Sequence, residues 1–280
     1  MKKIIITADD YGMCQPVDTA IEECIAAGAV TTTNVLLNME TPGNAGLLRT
    51  RYPHVSVGIH WNVTAGKPLL APDRVPSLVD GNGDFYPLGE FKRRMRRGMI
   101  NKRHLEAELQ AQYEAFYELC GRPDYWNTHE NSALCLRAFN VFSKLAKGYG
   151  IPGTRNFRRV YIDIRSVPLG RRMKEFSHKV AVDLWFGVLL KKKYVMPDAR
   201  LFPFRTDSKY EKDKLIQALN KSGCRSVEIV AHPAAASEHK FFGNLSKDRL
   251  EEYAFFSNDA LRGLFETNGL ILTNFAGISG

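Results

Sequence analysis

Lys2-Lys3-Ile4-Ile5-Ile6-Thr7-Ala8-Asp9-Asp10-Tyr11-Gly12 decides how the rest of the chain is read. Two cations followed by an apolar run resemble the start of a signal peptide, but paired acids stop the run before a signal-type apolar segment is complete. The stretch therefore reads as a strand, Ile4 to Ala8, that delivers two carboxylates at its carboxyl end. The next segment agrees. Pro16 to Ala27 puts Val17, Ala20, Ile21, Cys24 and Ile25 on one helical face and stops at Gly28.

The alternation continues to the other end. Val30 to Leu37 and Val55 to His60 read as strands, and a Pro- and Gly-rich connection fills 61–89. Helical sequence runs from Glu90 to Leu119 with a break near Gly98; Tyr125 to His129 ends a strand, Ala133 to Tyr149 is helical, and Gly153 to Phe157 is a further strand. From Arg158 to Pro203 no clear period emerges beyond some helix near Gly170 to Leu190. Tyr210 to Lys221 is helical, Ser226 to His232 a strand, Leu245 to Phe265 helical and Leu270 to Phe275 a last strand. Strand-helix alternation predicts a mostly parallel sheet covered by helices. Seven or eight strands in 280 residues suit an α/β, β/α barrel-like domain, complete or distorted, over 1–280. A doubly wound open sheet is the second architecture. The long connections 61–89 and 158–205 are expected to border a site.

Composition narrows the class. Hydrophobic residues make up 44% and charged residues 25%, which excludes a disordered polymer. No apolar run reaches the roughly 18 to 20 residues of a membrane span. Five cysteines, Cys14, Cys24, Cys120, Cys135 and Cys224, form no Cys-x-x-Cys pair, which fits a reducing cytoplasm rather than a disulfide scaffold. The net charge of +9 raises nucleic acid as a partner, but the excess is concentrated in Lys92 to Arg103 and Lys191 to Lys193. Such runs are commonly solvated helix faces, and this one has no interleaved aromatics. No nucleic acid and no membrane partner is expected.

Four polar clusters stand where strands end: Asp9-Asp10-Tyr11-Gly12, Gly58-Ile59-His60-Trp61-Asn62, Asn127-Thr128-His129-Glu130-Asn131 and Glu228-Ile229-Val230-Ala231-His232-Pro233. In β/α folds the carboxyl ends of strands share one mouth, so residues far apart in sequence meet there. Two carboxylates about 5 Å apart repel by roughly 3 kcal/mol at an effective dielectric of 20. A divalent cation removes that cost, and Asp with two His is a common ligand set with open positions. Neighbours on an extended segment point to opposite sides, so one aspartate is expected to ligate and the other to handle a proton. Taken singly, Asp-Asp after a strand is more often a helix cap, and a lone strand-end His is more often structural; joint placement at four strand ends favours function. His54, His104, His178 and His239 lie in polar or loop sequence and receive no role, and Cys14 reads as a small buried residue.

Thr-Ala-Asp-Asp-Tyr-Gly at 7–12, Val-Gly-Ile-His-Trp-Asn-Val-Thr-Ala-Gly-Lys-Pro-Leu at 57–69, Thr128-His129 and Ala231-His232-Pro233 resemble the motifs of the YdjC-like carbohydrate deacetylases, which include chitooligosaccharide deacetylases. The likeness covers nearly the whole chain in the same motif order. It implies a barrel-like fold related to the polysaccharide deacetylases and one divalent metal held by Asp10, His60 and His129. It also implies Asp9 as general base, His232 as general acid and Arg155 as a residue orienting the base or substrate. The third motif here is His129-Glu130-Asn131, where family members often carry a further histidine after the first, and Ala234 follows His-Pro where glycine is more usual.

The implied reaction is hydrolysis of an N-acetyl group on an amino sugar or short oligosaccharide. The ligand types suit zinc or another transition ion, whereas the resemblance points to magnesium. Trp61 and Tyr11, with Tyr86 and Phe85 behind them, are candidate stacking faces for sugar rings. The resemblance is compatible with a homodimer. Two other functions compete. A metal-dependent phosphoesterase would use the same scaffold with more than one ion, and a basic nucleic-acid-binding protein would use residues 92–103.

Overall fold

The computed structural model describes residues 1–162, 169, 170, 173, 177, 180, 181, 187, 193–202, 211–242 and 246–278. Its frame is a parallel sheet whose first strand, β1 (Lys2–Tyr11), is the hub. On one edge β1 meets β8 (Ser226–Ala231) in continuous register from Lys3↔Ser226 to Ala8↔Ala231. On the other edge its carboxyl half pairs with β2 (Thr32–Val35) and its amino half with β9 (Leu270–Thr273). From β2 the sheet runs through β3 (Ser56–Trp61) and β4 (Tyr125–Thr128) to β5 (Gly153–Thr154); from β8 it runs through β7 (Ala199–Phe202) to β6 (Arg159–Tyr161). All these pairs are parallel, so the carboxyl ends point one way, and the chain has the expected β/α barrel-like fold.

Helices follow the strands. They are α1 (Gln15–Ala26), a single turn α2 (Leu48–Arg51), α3 (Leu88–Arg97), α4 (Lys102–Cys120), α5 (Leu136–Gly148), α6 (Lys212–Lys221), α7 (Ser246–Phe256) and α8 (Ala260–Thr267). The break expected near Gly98 is real, because Gly98 takes a left-handed φ of 73° and closes α3. Asn101 then caps α4 by accepting from the Arg103 N–H. The single helix expected over Leu245 to Phe265 is two, α7 and α8. The stretch 158–205 is not all connection, since it contains β6 and β7. The helix expected near 170–190, like His178, lies largely outside the described residues.

The two faces of β1 go to different places. Ile4, Ile6 and Ala8 join the large apolar core that includes Val17, Ile21 and Phe256 of the flanking helices. Ile5 instead packs with Tyr125 and Phe275 in a small separate cluster. The Tyr125 and Phe275 rings stack 4.2 Å apart. That stack needs room, and Gly58 on β3 provides it: a Cβ there would stand 2.3 Å from the Tyr125 ring. Above it the same face turns polar, with Thr7 and then Asp9.

Candidate active site

β1 ends in a bulge. Ala8 pairs with Thr33 and Tyr11 with Val35, so Asp9 and Asp10 together oppose Asn34 alone. Asp10 has a left-handed φ of 77°, uncommon for a residue other than glycine. The strict alternation expected of an extended strand therefore fails here. Asn34 bridges the pair: its Nδ2 donates to Asp9 Oδ1, and its Oδ1 accepts from the Asp10 N–H at 3.4 Å. Gly12 follows at φ 89°, and a Cβ there would meet the Leu36 carbonyl oxygen at 2.7 Å. The tight turn after the acids thus requires glycine.

Asp10 faces two imidazoles. Its Oδ1 lies 3.0 Å from His129 Nδ1 and 3.3 Å from His60 Nε2. One donor atom from each of the three residues lies within 4.8 Å of the others. His60 leaves β3 beside Asn127 of β4, whose amide meets the other imidazole nitrogen, Nδ1. A hydrogen bond at the far nitrogen is the usual way a ligand histidine is oriented. His129 sits where β4 gives way to Glu130 and Asn131, both left-handed at φ 52° and 53°. Asp, His and His with donors turned toward one another form a set that fits a divalent ion.

Asp9 is held differently. Arg155, just past β5, grips it with two bonds of 2.8 Å and places its Nε 3.1 Å from Glu228 Oε1. Glu228 in turn accepts from the Thr7 hydroxyl at 2.8 Å. Asp9, Arg155 and Glu228 are all buried. Burial works to raise the Asp9 carboxyl, but the Arg155 cation prevails and holds it below the ordinary carboxylate range. Burial raises Glu228, with Arg155 opposing only in part. Because Ala8 pairs with Ala231, His232 leaves β8 level with Asp9. Its Nε2 lies 3.7 Å from Asp9 Oδ2, and its Nδ1 lies 3.8 Å from Glu252 Oε2. Its side chain is 32% exposed, so it is open to solvent where Asp9 is not.

Five of the expected site residues, with Arg155, thus converge. Trp61 and Tyr11 do not. Trp61 is fully buried beside Trp126 and Phe142, and its Nε1 donates to the Leu109 carbonyl at 3.0 Å. Tyr11 is fully buried and donates to Glu22 at 2.7 Å. Trp61 follows the β3 alternation with Val57 and Ile59 outward to the helix layer, and the bulge turns Tyr11 to the same layer, which removes both as stacking faces. Phe85 is buried too, and the Tyr86 ring is covered by Arg94, 3.9 Å from its centroid. The basic run is partly consumed locally, since Arg93 and Arg94 both pair with Glu90. His104 bonds Ser77 and His239 bonds Glu40.

Several contributors carry no obvious mark in the sequence. Arg249 and Glu252, three residues apart on α7, turn inward to Asp10 and to the His232 backbone N–H. Glu228 did carry a signal, because an acid inside an apolar strand shares period two with His232.

A family model described as YdjC-like protein matches residues 3–267. The chain belongs to the YdjC-like family. Among YdjC-like relatives, a carbohydrate deacetylase of Geobacillus stearothermophilus is 30% identical over 274 residues, 97% of this chain and 96% of that protein. A chitooligosaccharide deacetylase of Yersinia pestis (strain Pestoides F) is 25% identical over 281 residues, 98% of each. A solved structure from Enterococcus faecalis V583, described as a candidate cellobiose-phosphate cleavage protein, matches with a TM-score of 0.75 at 25% identity, covering 100% of this chain and 99% of that one.

Proposed function

We propose that this YdjC-like protein is a metal-dependent hydrolase that removes N-acetyl groups from amino sugars or short chitooligosaccharides. The observation that carries the reading is the meeting, at one strand-end mouth, of the Asp10, His60 and His129 donors with an Arg155-held Asp9 and a solvent-open His232. The names of the two deacetylase relatives support the substrate class.

An amide resists hydrolysis for two reasons, a weak electrophile and a leaving amine that must be protonated. Asp10, His60 and His129 would hold the metal, which supplies Lewis-acid activation of the acetyl carbonyl and of water. Arg155 keeps Asp9 ionised and fixed in direction, so Asp9 serves as the acceptor for the proton of the attacking water. His232, its Nε2 3.7 Å from Asp9 Oδ2 and its side chain open to solvent, serves as donor to the departing nitrogen. Each acid-base step of this kind contributes roughly 10²- to 10⁴-fold. The ligand types suit zinc or another transition ion, with magnesium the ion of the family resemblance. All five cysteines are free and buried, consistent with a cytoplasmic enzyme.

The test is elemental analysis of the purified chain together with acetate release from a panel of N-acetylated amino sugars and chitooligosaccharides. One ion per chain and acetate from at least one substrate are expected. No acetate at saturating metal, with more than one ion per chain and turnover of phosphate esters, would replace this reading with the phosphoesterase.

A further inference from the structure

Asp10 uses its two oxygens for different partners. Oδ1 faces the two imidazoles, at 3.0 and 3.3 Å. Oδ2 accepts from Arg249 Nη2 at 2.6 Å. Arg249 and Asp10 are both almost fully buried, with side chains 2% exposed. The guanidinium is fixed on two further sides. Its Nη1 donates to the His232 carbonyl at 3.4 Å, and its carbon stands 4.9 Å from the centre of the Phe242 ring.

We infer that Arg249 is a positioning residue that makes Asp10 a one-oxygen ligand and lowers the affinity of the site for its metal. The inference rests on the metal-dependent reading above. A carboxylate with both oxygens free can grip a cation with both. Here the second oxygen is committed to a charge-assisted bond. Arg249 also competes with the ion for the same negative charge and places a permanent positive charge beside any cation bound there. A site so restrained gains in chemistry what it gives up in affinity. Fewer oxygens and less net negative charge leave the ion a stronger Lewis acid with more open positions. Arg249 also ties the Asp10 carboxylate to the backbone of His232, so one side chain sets the ligand and the proton donor relative to each other.

The probe is Co²⁺ alone, followed by calorimetry and by its visible absorption, in the full-length chain. Arg249→Met is expected to bind Co²⁺ about tenfold more tightly or better. Its absorption should fall as the coordination number rises, and kcat should drop with KM little changed. Arg249→Lys keeps the charge without the fork, so its affinity should stay within about threefold of wild type while kcat still falls. If Arg249→Met does not give a native circular dichroism spectrum and cooperative melt, Arg249→Gln, which keeps an amide donor without charge, takes its place. Unchanged or weaker Co²⁺ binding in a folded uncharged variant overturns the inference, as does equal tightening in Arg249→Lys. A wild-type chain that takes up no divalent ion overturns the metal reading itself. Stoichiometric wild-type binding with no shift in the variants removes only the role of Arg249.

Discussion

The buried aspartate pair at the mouth and a lone buried glutamate behind β3 are stabilised by opposite means. At the mouth, Asp9 and Asp10 each face an arginine, Arg155 and Arg249, and both are drawn below the ordinary range. Behind β3, Glu108 of α4 is equally buried, but no cationic side chain pairs with it among the described residues. It accepts from the Leu69 and Leu70 N–H groups at 3.0 and 3.1 Å and from the Gln112 amide at 2.8 Å. Burial raises its pKa, and these three donors offset that only in part. Gln112 completes the arrangement by bonding both the N–H and the carbonyl of Asn62. Burial alone therefore does not decide whether a carboxylate stays ionised; its partners do. Asp9 and Asp10 are kept charged, pointed and beside solvent-accessible His232, whereas Glu108 pins the chain that leaves β3.

The contrast breaks most sharply under loss of the proposed ligands. His60→Ala and His129→Ala should each lose the metal and with it all measurable turnover, while Glu108→Gln should keep both. Inductively coupled plasma analysis after dialysis reads the difference, and full metal content in both histidine variants would dissolve the ligand assignment. Next in size is Asp9→Asn. With metal retained, turnover should fall by about 10²- to 10⁴-fold. His232→Ala should behave alike, and unchanged turnover in either removes that residue from the mechanism.

Arg155→Met acts on stability. It leaves Asp9 and Glu228 without their buried cation, and breaking such a pair typically costs about 3 to 5 kcal/mol. Urea unfolding of the metal-free chain reads this directly. A loss under about 1 kcal/mol would mean that the Arg155 pairing offsets little more than its own desolvation.

The sequence carries much of this, unevenly. β1 and the four strand-end clusters stand out because short, largely apolar strands give way to acids or histidines at their carboxyl ends. β6 and β7 do not, because Arg159-Val160-Tyr161 and Ala199-Arg200-Leu201-Phe202 are too short for a period and carry arginines among apolar neighbours. The motif at 57–69 contributes one ligand candidate, His60; Asn62 and Leu69 within it, with Leu70 just after it, serve the Glu108 and Gln112 network instead. Arg249 and Glu252 sit on the buried face of α7 with Phe256. Helical periodicity marks that face, but nothing local says that Asp10 and His232 lie across from it. The bulge at Asp9 and Asp10 is equally hidden, since it depends on a partner strand that offers Asn34 to both.

The smallest expected effect tests the other side of the contrast. Glu108→Gln keeps the shape but exchanges one acceptor oxygen for an NH₂ facing a backbone N–H, a pH-independent cost on the order of 1 kcal/mol. The pH-dependent part has a definite sign. The Glu108 carboxyl titrates higher in the folded chain than in the unfolded one, so the folded state holds its proton more tightly. Its contribution to stability is then fully present below the unfolded glutamate value, about 4.3, and is lost as pH rises through the folded value. The wild-type advantage over Glu108→Gln in unfolding free energy should therefore be greatest near pH 4 and shrink toward pH 7. Urea titrations of the two proteins side by side cancel every other group that titrates in both. An advantage that grows with pH would mean that Leu69, Leu70 and Gln112 together outweigh burial, and that Glu108 resembles Asp9 after all.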